Sequence, residues 1–446
     1  MTESYFWPVV MLVALMAGLF TGFPVAFVLA GVGIVLALLA DIPLVFLSTA
    51  VARIYSGILT NWLLIAIPLF VFMGLMMERS GVAERLLGSL ASLFRSLPGG
   101  YAFAVAILGV AMGASTGIIG ASVVLMGMIA LPTMLQNRYD PRIATGLIAS
   151  TGTLGILLPP SIMLIVLGDQ LRVPIGDLFI GAIGPGLLLS GLFLLYLIAV
   201  AILQPHRMPP RPEGRTTDRS ALVVRLLKDL VAPVLLILSV LGTIIAGVAT
   251  PTEAAAIGAL GALVLAFLSG SLDFETLRSS LRQTTKTTAM IVFVMIGATV
   301  FSVIFRRLGG DAMVADAFAH IGESPYVVLL AVMALIFVIG FFLEWVEIVL
   351  VVVPIVAPVV MALDFGMDPE QTLAWFAIAL AVNLQISFLT PPFGYALFYL
   401  RGIAPEVPIG TIYRGIVPFV LLQVLAVLLV IVFPQISLGL ASYLGR

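Results

Sequence analysis

The sequence predicts an all-α polytopic membrane protein made of two repeats of opposite orientation. Hydrophobic residues make up 62% of the 446 positions and charged residues only 10%, against about 25% charged in ordinary soluble domains. Proline and glycine landmarks recur in the two halves at a nearly constant offset, and each half has one Pro-Pro pair inside an apolar stretch. Because too few charges remain to cover a water-exposed surface, we expect the lipid bilayer to surround most of the chain.

Composition also excludes several functional classes. The 21 basic and 22 acidic residues leave a net charge of −1, which provides no basic field for nucleic acid. The chain has no cysteine and only two histidines, which excludes disulfides, thiolate metal sites and iron–sulfur clusters and leaves little for a histidine metal site. We therefore expect neither a resident cofactor nor a nucleic-acid partner.

Ten apolar runs have the length and composition of full membrane spans. They are residues 4–22, 24–40, 62–77, 143–167, 176–203, 229–248, 253–269, 289–305, 372–399 and 409–433. Residues 100–136 and 326–362 are each too long for one span and have a polar or glycine-rich middle, which predicts two re-entrant hairpins. Two amphipathic connectors, roughly 44–60 and 272–286, are expected to lie along the membrane faces.

The distribution of basic residues supports this topology. If the N-terminus starts outside and each hairpin returns to its own side, 16 of the 21 basic residues fall in cytoplasmic loops. The outer side keeps Arg53, Arg172, Arg306, Arg307 and Arg446. No basic residue precedes Arg53, which argues against a cleaved signal peptide and against a cytoplasmic N-terminus.

The two halves repeat one another along their whole length. Pro24 corresponds to Pro251 and Pro159 to Pro391, and the offset stays between 227 and 234. Each half has five predicted spans and one hairpin, so the second half is inverted relative to the first, as in many secondary transporters. The predicted division is a first repeat at 1–204, a solvated cytoplasmic linker at 205–228 and a second repeat at 229–446.

Each Pro-Pro pair interrupts a predicted span. The first break lies in residues 151–160 of the span at 143–167, and the second in residues 383–392 of the span at 372–399. Two prolines remove two backbone donors and free the carbonyl groups one turn earlier. Carbonyl and hydroxyl oxygens are ligands that a hard cation prefers, so each break is a candidate Na⁺ site. A simple proline kink is the alternative interpretation.

The middles of the two hairpins differ in chemistry. The first, at 113–122, is rich in glycine, alanine, serine and threonine, so it can approach a neighbouring helix closely. The second carries Glu344 and Glu347, two acids in an otherwise apolar stretch, which indicates a functional site because burying a charge is costly. The alternative is a wet tip, with both acids solvated or capping a half-helix. Elsewhere, residues 250–253 predict a capping box at a helix start.

One motif points towards an enzyme and is set aside. Residues 113–117 match the G-x-S-x-G pattern of a serine nucleophile. A serine hydrolase needs a histidine base, and His206 and His320 lie in a predicted cytoplasmic linker and an outer loop. We therefore do not expect an enzyme, although an integral membrane enzyme remains the alternative from a different class.

The duplicated halves and several local runs resemble a known family. The run 251–255 (PTEAA) and the breaks at 158–162 (LPPSI) and 390–394 (TPPFG) resemble the large membrane permease subunit of tripartite ATP-independent periplasmic (TRAP) transporters. The runs 342–348 and 120–127 resemble the branch often labelled mannitol/chloroaromatic. The resemblance covers essentially the full chain.

This resemblance implies an elevator-type secondary transporter driven by Na⁺, in which hairpins and broken helices move together against a scaffold. It implies a separate small membrane subunit of about four spans, a periplasmic substrate-binding protein that delivers an organic acid, usually a carboxylate, and a bacterial inner-membrane location with a periplasmic N-terminus. The alternative is a stand-alone Na⁺/anion symporter of the same superfamily, which needs no binding protein.

The resemblance also places Na⁺ between each hairpin tip and the neighbouring break. The residues carried over are Ser115, Thr116, Gly152, Thr153 and Gly155 for one site and Gly340, Thr390 and Pro391 for the other. Substrate or transport roles are expected for Ser115, Thr116, Ser122, Glu344, Glu347, Asn383 and Gln385. The chain departs from the commoner Ser-Gly-Ser-Ser tip at 116–119 by the loss of two hydroxyl groups, so Ser122 or backbone carbonyl groups are the alternative ligands of the first site.

Overall fold

The fold is entirely helical in the part of the chain that the structure, a computed structural model, describes: residues 5–116, 119–210, 219–322, 324–391 and 394–444. The first half contains α1 (Phe6–Leu19), α2 (Val25–Leu39), α3 (Leu47–Ile54), α4 (Ala66–Arg79), α5 (Val82–Leu93), α6 (Gly100–Thr116), α7 (Ile119–Gln136), α8 (Pro141–Thr153), α9 (Ile162–Leu171) and α10 (Ile175–Leu203).

The second half contains α11 (Arg219–Ile245), α12 (Pro251–Leu268), α13 (Phe274–Arg307), α14 (Gly310–Ala319), α15 (Pro325–Ile339), α16 (Trp345–Glu347), α17 (Val353–Met361), α18 (Pro369–Leu389), α19 (Tyr395–Ile403), α20 (Ile409–Val432) and α21 (Gln435–Tyr443). Short 3₁₀ segments lie at Leu44–Phe46, Trp62–Ile65, Leu154–Ile156 and Pro205–Arg207, and π-helical turns at Tyr55–Leu59 and Ile348–Val352.

Seven of the described helices are long and apolar enough to cross a membrane. They are α4 with the 3₁₀ turn before it, α7, α10, α12, α13, α18 and α20. Helices α1 and α2 are apolar but only 14 and 15 residues long, shorter than the roughly 20 residues that a perpendicular span needs. The count of ten spans therefore stays a prediction.

The helices pack in two groups. The scaffold group consists of α1–α5 and α11–α13, with its main contacts between α4 and α12 and between α2 and α13. The hairpin group consists of α6–α10 and α15–α21, with its main contacts between α8 and α20 and between α7 and α8. Under the offset between the repeats, α2 corresponds to α12 and α4 corresponds to α13. The contact between α4 and α12 is therefore the repeat equivalent of the contact between α13 and α2. Two interlocked repeats would produce this pairing.

The chain turns back and breaks near the predicted positions. Helices α6 and α7 form the first hairpin, and α15 forms the second with the continuous helix at 345–361. The turn of the second hairpin occupies residues 340–344, so the predicted tip at 344–347 lies too far along the chain and Glu347 belongs to the first turn of the returning helix. The two broken spans are α8 with α9, and α18 with α19.

Two predicted boundaries are wrong. The connector at 272–286 and the span at 289–305 form one helix of 34 residues, α13, because no proline or glycine interrupts it before Gly297. The side chain of Asp273 caps this helix by accepting a hydrogen bond from the Thr276 N–H at 2.6 Å, which holds the pKa of Asp273 below its usual value. The span predicted at 229–248 begins earlier, as α11, inside the predicted linker.

The predicted capping box at the start of α12 is confirmed. The Thr250 hydroxyl accepts a hydrogen bond from the Glu253 N–H at 3.3 Å, and the Glu253 carboxylate accepts one from the Thr250 N–H at 2.7 Å. Pro251 occupies the first helical position, where no N–H is needed. The box therefore fixes where a helix of the scaffold group begins.

Removing this cap is expected to lower stability slightly. Thr250→Ala loses the capping hydroxyl, which costs about 1 kcal/mol, and we expect the melting temperature of the detergent-purified protein to fall by about 1–2 °C. Thr250→Ser keeps the hydroxyl and serves as the matched control. Equal melting temperatures for the alanine variant and the parent protein would show that the cap contributes nothing.

Candidate functional site

The first break lies against the end of the first hairpin. A Cβ atom placed on Gly113 of α6 would lie 3.1 Å from the backbone nitrogen of Gly155, and one placed on Gly152 would lie 2.4 Å from a Val123 methyl group of α7. Only glycine allows helices to approach this closely without displacing a neighbour. Both arms of the hairpin therefore enclose the 3₁₀ turn at Leu154–Ile156, where the sequence predicted a Na⁺ site.

Only some of the predicted Na⁺ ligands around this turn can be located in the structure. Gly152 and Gly155 lie in the enclosed segment, and Ser122 is buried on α7. Ser115 and Thr116 end α6 two and three positions beyond Gly113, but their side chains lie outside the described residues. After the Pro159–Pro160 pair, the Ser161 hydroxyl donates a hydrogen bond to the Ile156 carbonyl at 2.6 Å and begins α9 as its N-cap.

A buried polar cluster joins the two broken helices. The Thr153 hydroxyl of α8 lies 3.3 Å from the Gln385 side-chain oxygen of α18 and 3.4 Å from the Gln423 amide nitrogen of α20. All three side chains are fully buried. Within the described residues, the amide nitrogen of Gln385 and the side-chain oxygen of Gln423 have no hydrogen-bond partner. Among the described residues, the cluster therefore keeps one free donor and one free acceptor.

The second hairpin is attached to the second broken helix by two hydrogen bonds in helical register. The Asn383 amide donates to the Met333 carbonyl at 2.9 Å, and the Ser387 hydroxyl donates to the Phe337 carbonyl at 3.2 Å. At the end of α15, a Cβ atom on Gly340 would lie 2.6 Å from both Cβ and Oγ of Ser387. Asn383, predicted to contact substrate, therefore holds the hairpin against α18.

The second break brings a different set of groups together. Helix α18 ends at Leu389. Its C-cap residue is Thr390, whose hydroxyl donates to the Ile386 carbonyl at 2.7 Å and keeps its lone pairs. Pro391 follows in a turn and is half-buried, and residues 392–393 lie outside the described part of the chain. Beyond the break, the Tyr395 hydroxyl of α19 donates to the Phe342 carbonyl in the hairpin turn at 3.2 Å. Gly340, Thr390 and Pro391 therefore lie around one junction.

The acidic pair lies at this junction. Glu347 is buried, with 6% of its surface exposed, and its Oε2 has no hydrogen-bond partner among the described residues. Glu344 is half-buried at the N-cap position of the returning helix, where its side chain makes no capping hydrogen bond. Burial of Glu347 contradicts a wet tip at this residue, whereas a capping role stays an alternative, because its carboxylate also receives backbone hydrogen bonds of Glu344 and Glu347.

Helix α19 connects the two hairpins. A Cβ atom on Gly120 of α7 would lie 2.9 Å from the ring of Tyr399. The rings of Phe388 and Tyr395 pack edge to face across the break, with centroids 6.1 Å apart. The two junctions are therefore parts of one polar region inside the hairpin group.

Sequence reasoning missed three residues of this region. Gln423 is the one amide side chain in the predicted span at 409–433. A single polar residue in an apolar stretch was also the signal that identified Glu344 and Glu347 as candidates. Tyr395 and Tyr399 follow the second Pro-Pro pair at helical spacing and present their hydroxyl-bearing edges on one face. Two tyrosines one helical turn apart, directly after a helix break, are the sequence signal that could have identified Tyr395 and Tyr399 as site residues.

The two junctions differ in the oxygen atoms that they offer to a ligand. Among the described residues, no group of three or more His, Asp or Glu side chains could hold a metal ion. The first junction offers hydroxyl and carbonyl oxygens, and the second adds one unpartnered carboxylate oxygen. The two histidines are exposed. His206 lies in the predicted linker, and His320 lies at the end of α14, where its ring contacts the Asp316 carbonyl.

Comparison with known proteins identifies the relatives of this chain. Residues 12–436 match the family described as "Tripartite ATP-independent periplasmic transporter, DctM component". The "C4-dicarboxylate TRAP transporter large permease protein DctM" of Pseudomonas aeruginosa is 31% identical over 386 residues, covering 86% of this chain and 87% of that protein. The "Sialic acid TRAP transporter large permease protein SiaM" of Vibrio cholerae is 31% identical over 432 residues, covering 96% and 97%.

A solved structure shows a similar fold. The YdaH transporter of Alcanivorax borkumensis superimposes with a TM-score of 0.59 at 19% sequence identity, covering 88% of this chain and 89% of that one. Because the sequence identity is low, this likeness concerns the fold alone. It agrees with the all-helical transporter architecture predicted from the sequence.

Proposed function

The chain belongs to the DctM component family of tripartite ATP-independent periplasmic transporters, and from this premise we propose that it is the large transmembrane subunit of a Na⁺-coupled, binding-protein-dependent importer of a small organic acid. As a member of this family it is a multi-pass membrane transport protein and not an enzyme. Its partners are a small membrane subunit and a periplasmic binding protein, and its N-terminus lies in the periplasm of an inner-membrane complex.

One observation carries the Na⁺ coupling. Each interrupted helix is held against a hairpin by close glycine contacts. At the second junction, Glu347 is buried, and its Oε2 has no hydrogen-bond partner among the described residues. A buried carboxylate is costly unless a cation or several donors stabilise it. Na⁺ bound there neutralises the charge of Glu347 and links the second hairpin to the second broken helix. Na⁺ binding therefore makes the hairpin group rigid enough to move as one body.

The packing supports an elevator movement. The two junctions lie within the hairpin group, and the scaffold group packs mainly among its own helices. Movement of the whole hairpin group against the scaffold group carries both sites across the membrane without opening their internal contacts. Rigid-body movement of this kind is a recognised route of alternating access.

The proposal is tested by reconstituting the chain with its small subunit in liposomes and adding the binding protein loaded with its acid. We expect uptake with an inward Na⁺ gradient and little uptake when choline replaces Na⁺. Equal uptake under both conditions would refute Na⁺ coupling. Uptake by this chain alone, without the binding protein, would instead favour the stand-alone symporter.

Thr390 provides a residue-level test of the second cation site. Thr390→Ala removes one neutral oxygen ligand, which is worth about 1 kcal/mol, so the Na⁺ concentration for half-maximal uptake is expected to rise roughly three- to tenfold. Expression should persist because the hydroxyl otherwise bonds only within its own helical turn. Thr390→Ser keeps the oxygen and should restore the parent Na⁺ response. An unchanged Na⁺ response in Thr390→Ala excludes this residue as a ligand.

A further inference from the structure

Helix α13 of the scaffold group extends beyond the membrane span that it contains. Its 34 residues make it about 50 Å long at 1.5 Å per residue, whereas the hydrocarbon core of a bilayer is about 30 Å thick. The apolar part that is predicted to span the membrane, residues 289–305, is the second half of the helix. The first half therefore passes through one headgroup layer into water, and in the predicted topology this side is the cytoplasm.

The exposed face of this first half carries a row of basic side chains. Arg278, Arg282 and Lys286 are spaced four residues apart, so they follow one another along one side of the helix, and all three are exposed. None of them has a hydrogen-bond or ion-pair partner among the described residues. The opposite face of the helix is packed, because Ser280 and Thr284 are buried there. The basic row therefore faces away from the protein.

The same face becomes apolar where the predicted span begins. Met290 and Phe293 follow Lys286 at helical spacing and are 48% and 45% exposed. The Phe293 ring packs edge to face against Phe27 of α2, with centroids 5.0 Å apart, and Phe27 is itself exposed. Exposed apolar side chains of a membrane span face the lipid chains. The basic row therefore continues along one side of α13 into a surface that faces lipid.

Distance along the helix places Lys286 and Arg282 at the headgroup layer. Lys286 lies about 5 Å and Arg282 about 10 Å before residue 289, at 1.5 Å per residue. The headgroup layer on one side of a bilayer is roughly 5–8 Å thick. Side chains lean towards the N-terminus of their helix, so the Lys286 ammonium extends out of the hydrocarbon, as is common for lysines at an interface. Arg278 lies about 16 Å before residue 289, in the water beside this layer.

The acidic residues near this end of α13 lie further from the lipid. Glu275 is on the basic face, but it lies about 16 Å before Lys286 along the helix, beyond the Debye length of about 8 Å at physiological ionic strength. Asp273 caps the start of the helix. At the neighbouring ends of α4 and α5, Glu78 and Glu84 are each followed directly by an arginine. The part of the row that reaches the headgroup layer therefore keeps its positive charge.

We propose that the basic row of α13 binds the headgroup of an anionic phospholipid at the level of Arg282 and Lys286. Guanidinium and ammonium groups donate charge-assisted hydrogen bonds to phosphate oxygens, and basic residues beside a membrane span attract anionic lipid. The bound lipid fixes the depth of α13 and, through the contacts of α13 with α2 and α4, the depth of the scaffold group. In the proposed function, this is the group that stays in place while the hairpin group moves.

The absence of cysteine from the chain makes a local test possible. Thr285 is exposed beside the basic row, and its hydroxyl donates to the Leu281 carbonyl of its own helix at 2.9 Å. The variant Thr285→Cys is labelled with bimane and reconstituted, together with the small subunit, in phosphatidylcholine nanodiscs. A fixed fraction of the lipid is replaced by brominated phosphatidylglycerol or by brominated phosphatidylcholine. We expect the anionic lipid to quench the bimane at least about twofold more than the zwitterionic lipid.

The basic residues are then removed in the Thr285→Cys background. Arg282→Gln combined with Lys286→Gln is expected to make quenching by the two lipids equal. The matched control, Arg142→Gln combined with Arg414→Gln, removes the same charge from exposed residues on the same predicted side and should leave the ratio unchanged. Melting temperatures verify that each variant is folded. Equal quenching in Thr285→Cys, quenching by neither lipid, or a ratio that persists without Arg282 and Lys286 overturns the proposal. The assay measures no transport, so its failure is distinguishable from a failure of Na⁺-coupled import.

Discussion

Glu347→Gln is expected to reduce Na⁺-driven uptake by roughly ten- to a hundredfold, because a charge-assisted interaction with a buried cation is worth about 1.5–3 kcal/mol. The substitution keeps the size of the side chain and its place in the first turn of the returning helix. It removes the carboxylate whose Oε2 has no partner among the described residues. The measurement is the initial rate of uptake in liposomes over a range of Na⁺ concentrations.

Two substitutions at other acidic residues serve as comparisons for the loss of uptake in Glu347→Gln. Glu344→Gln removes the neighbouring, half-buried carboxylate, which makes no capping hydrogen bond, and we expect a smaller loss of uptake. Glu370→Gln changes an exposed acid at the start of α18 and serves as the control for a general effect of charge. Uptake by Glu347→Gln at the parent rate and with the parent Na⁺ response would remove Glu347 from the coupling site.

Local sequence signals predicted the breaks and hairpins well because their causes are local. Two consecutive prolines cannot continue a helix wherever they occur, and an apolar stretch longer than one span must turn. The second turn was misplaced because the glutamates dominated the interpretation of 326–362. The chain turns just before Glu344, and Glu347 is carried into the returning helix.

The composition of the polar region could not be predicted in the same way. The cluster of Thr153, Gln385 and Gln423 joins residues from three helices that are far apart in the sequence. The position of each polar residue in an apolar span is visible, but the helix face that meets its partner depends on the packing of the whole group. The structure adds that the Asn383 amide donates to the Met333 carbonyl of the adjacent hairpin, and the predicted contact of Asn383 with substrate stays a prediction.

The arginines assigned to the outer face also show that tertiary packing cannot be predicted from local sequence signals. Charge counting assigned Arg53, Arg172 and Arg306 to the outer face as residues left over from the positive-inside pattern. Only the fold brings them to one cavity between the two groups. The sequence identified these arginines because charged residues are rare in this chain, and the structure shows that they lie at one location.

Gly340→Ala is expected to abolish most Na⁺-driven uptake by separating the second hairpin from the second broken helix. The new Cβ would lie 2.6 Å from Cβ and Oγ of Ser387. The Ser387 Cβ cannot rotate away from this contact, so α15 must move from α18. Overpacking of this kind costs about 1–3 kcal/mol. The shift also stretches the hydrogen bonds that Asn383 and Ser387 donate to α15.

A second substitution tests whether this contact is the cause. Ser387→Gly removes both atoms that the new methyl group meets, so it should restore part of the uptake in the Gly340→Ala background although it lowers stability alone by roughly 0.5–1 kcal/mol. Gly402→Ala is the control, because nothing lies within 4 Å of its added Cβ. Melting temperature and uptake are measured for all four members of the double-mutant cycle. If the two substitutions are simply additive, steric conflict at this junction is not the reason that position 340 is glycine.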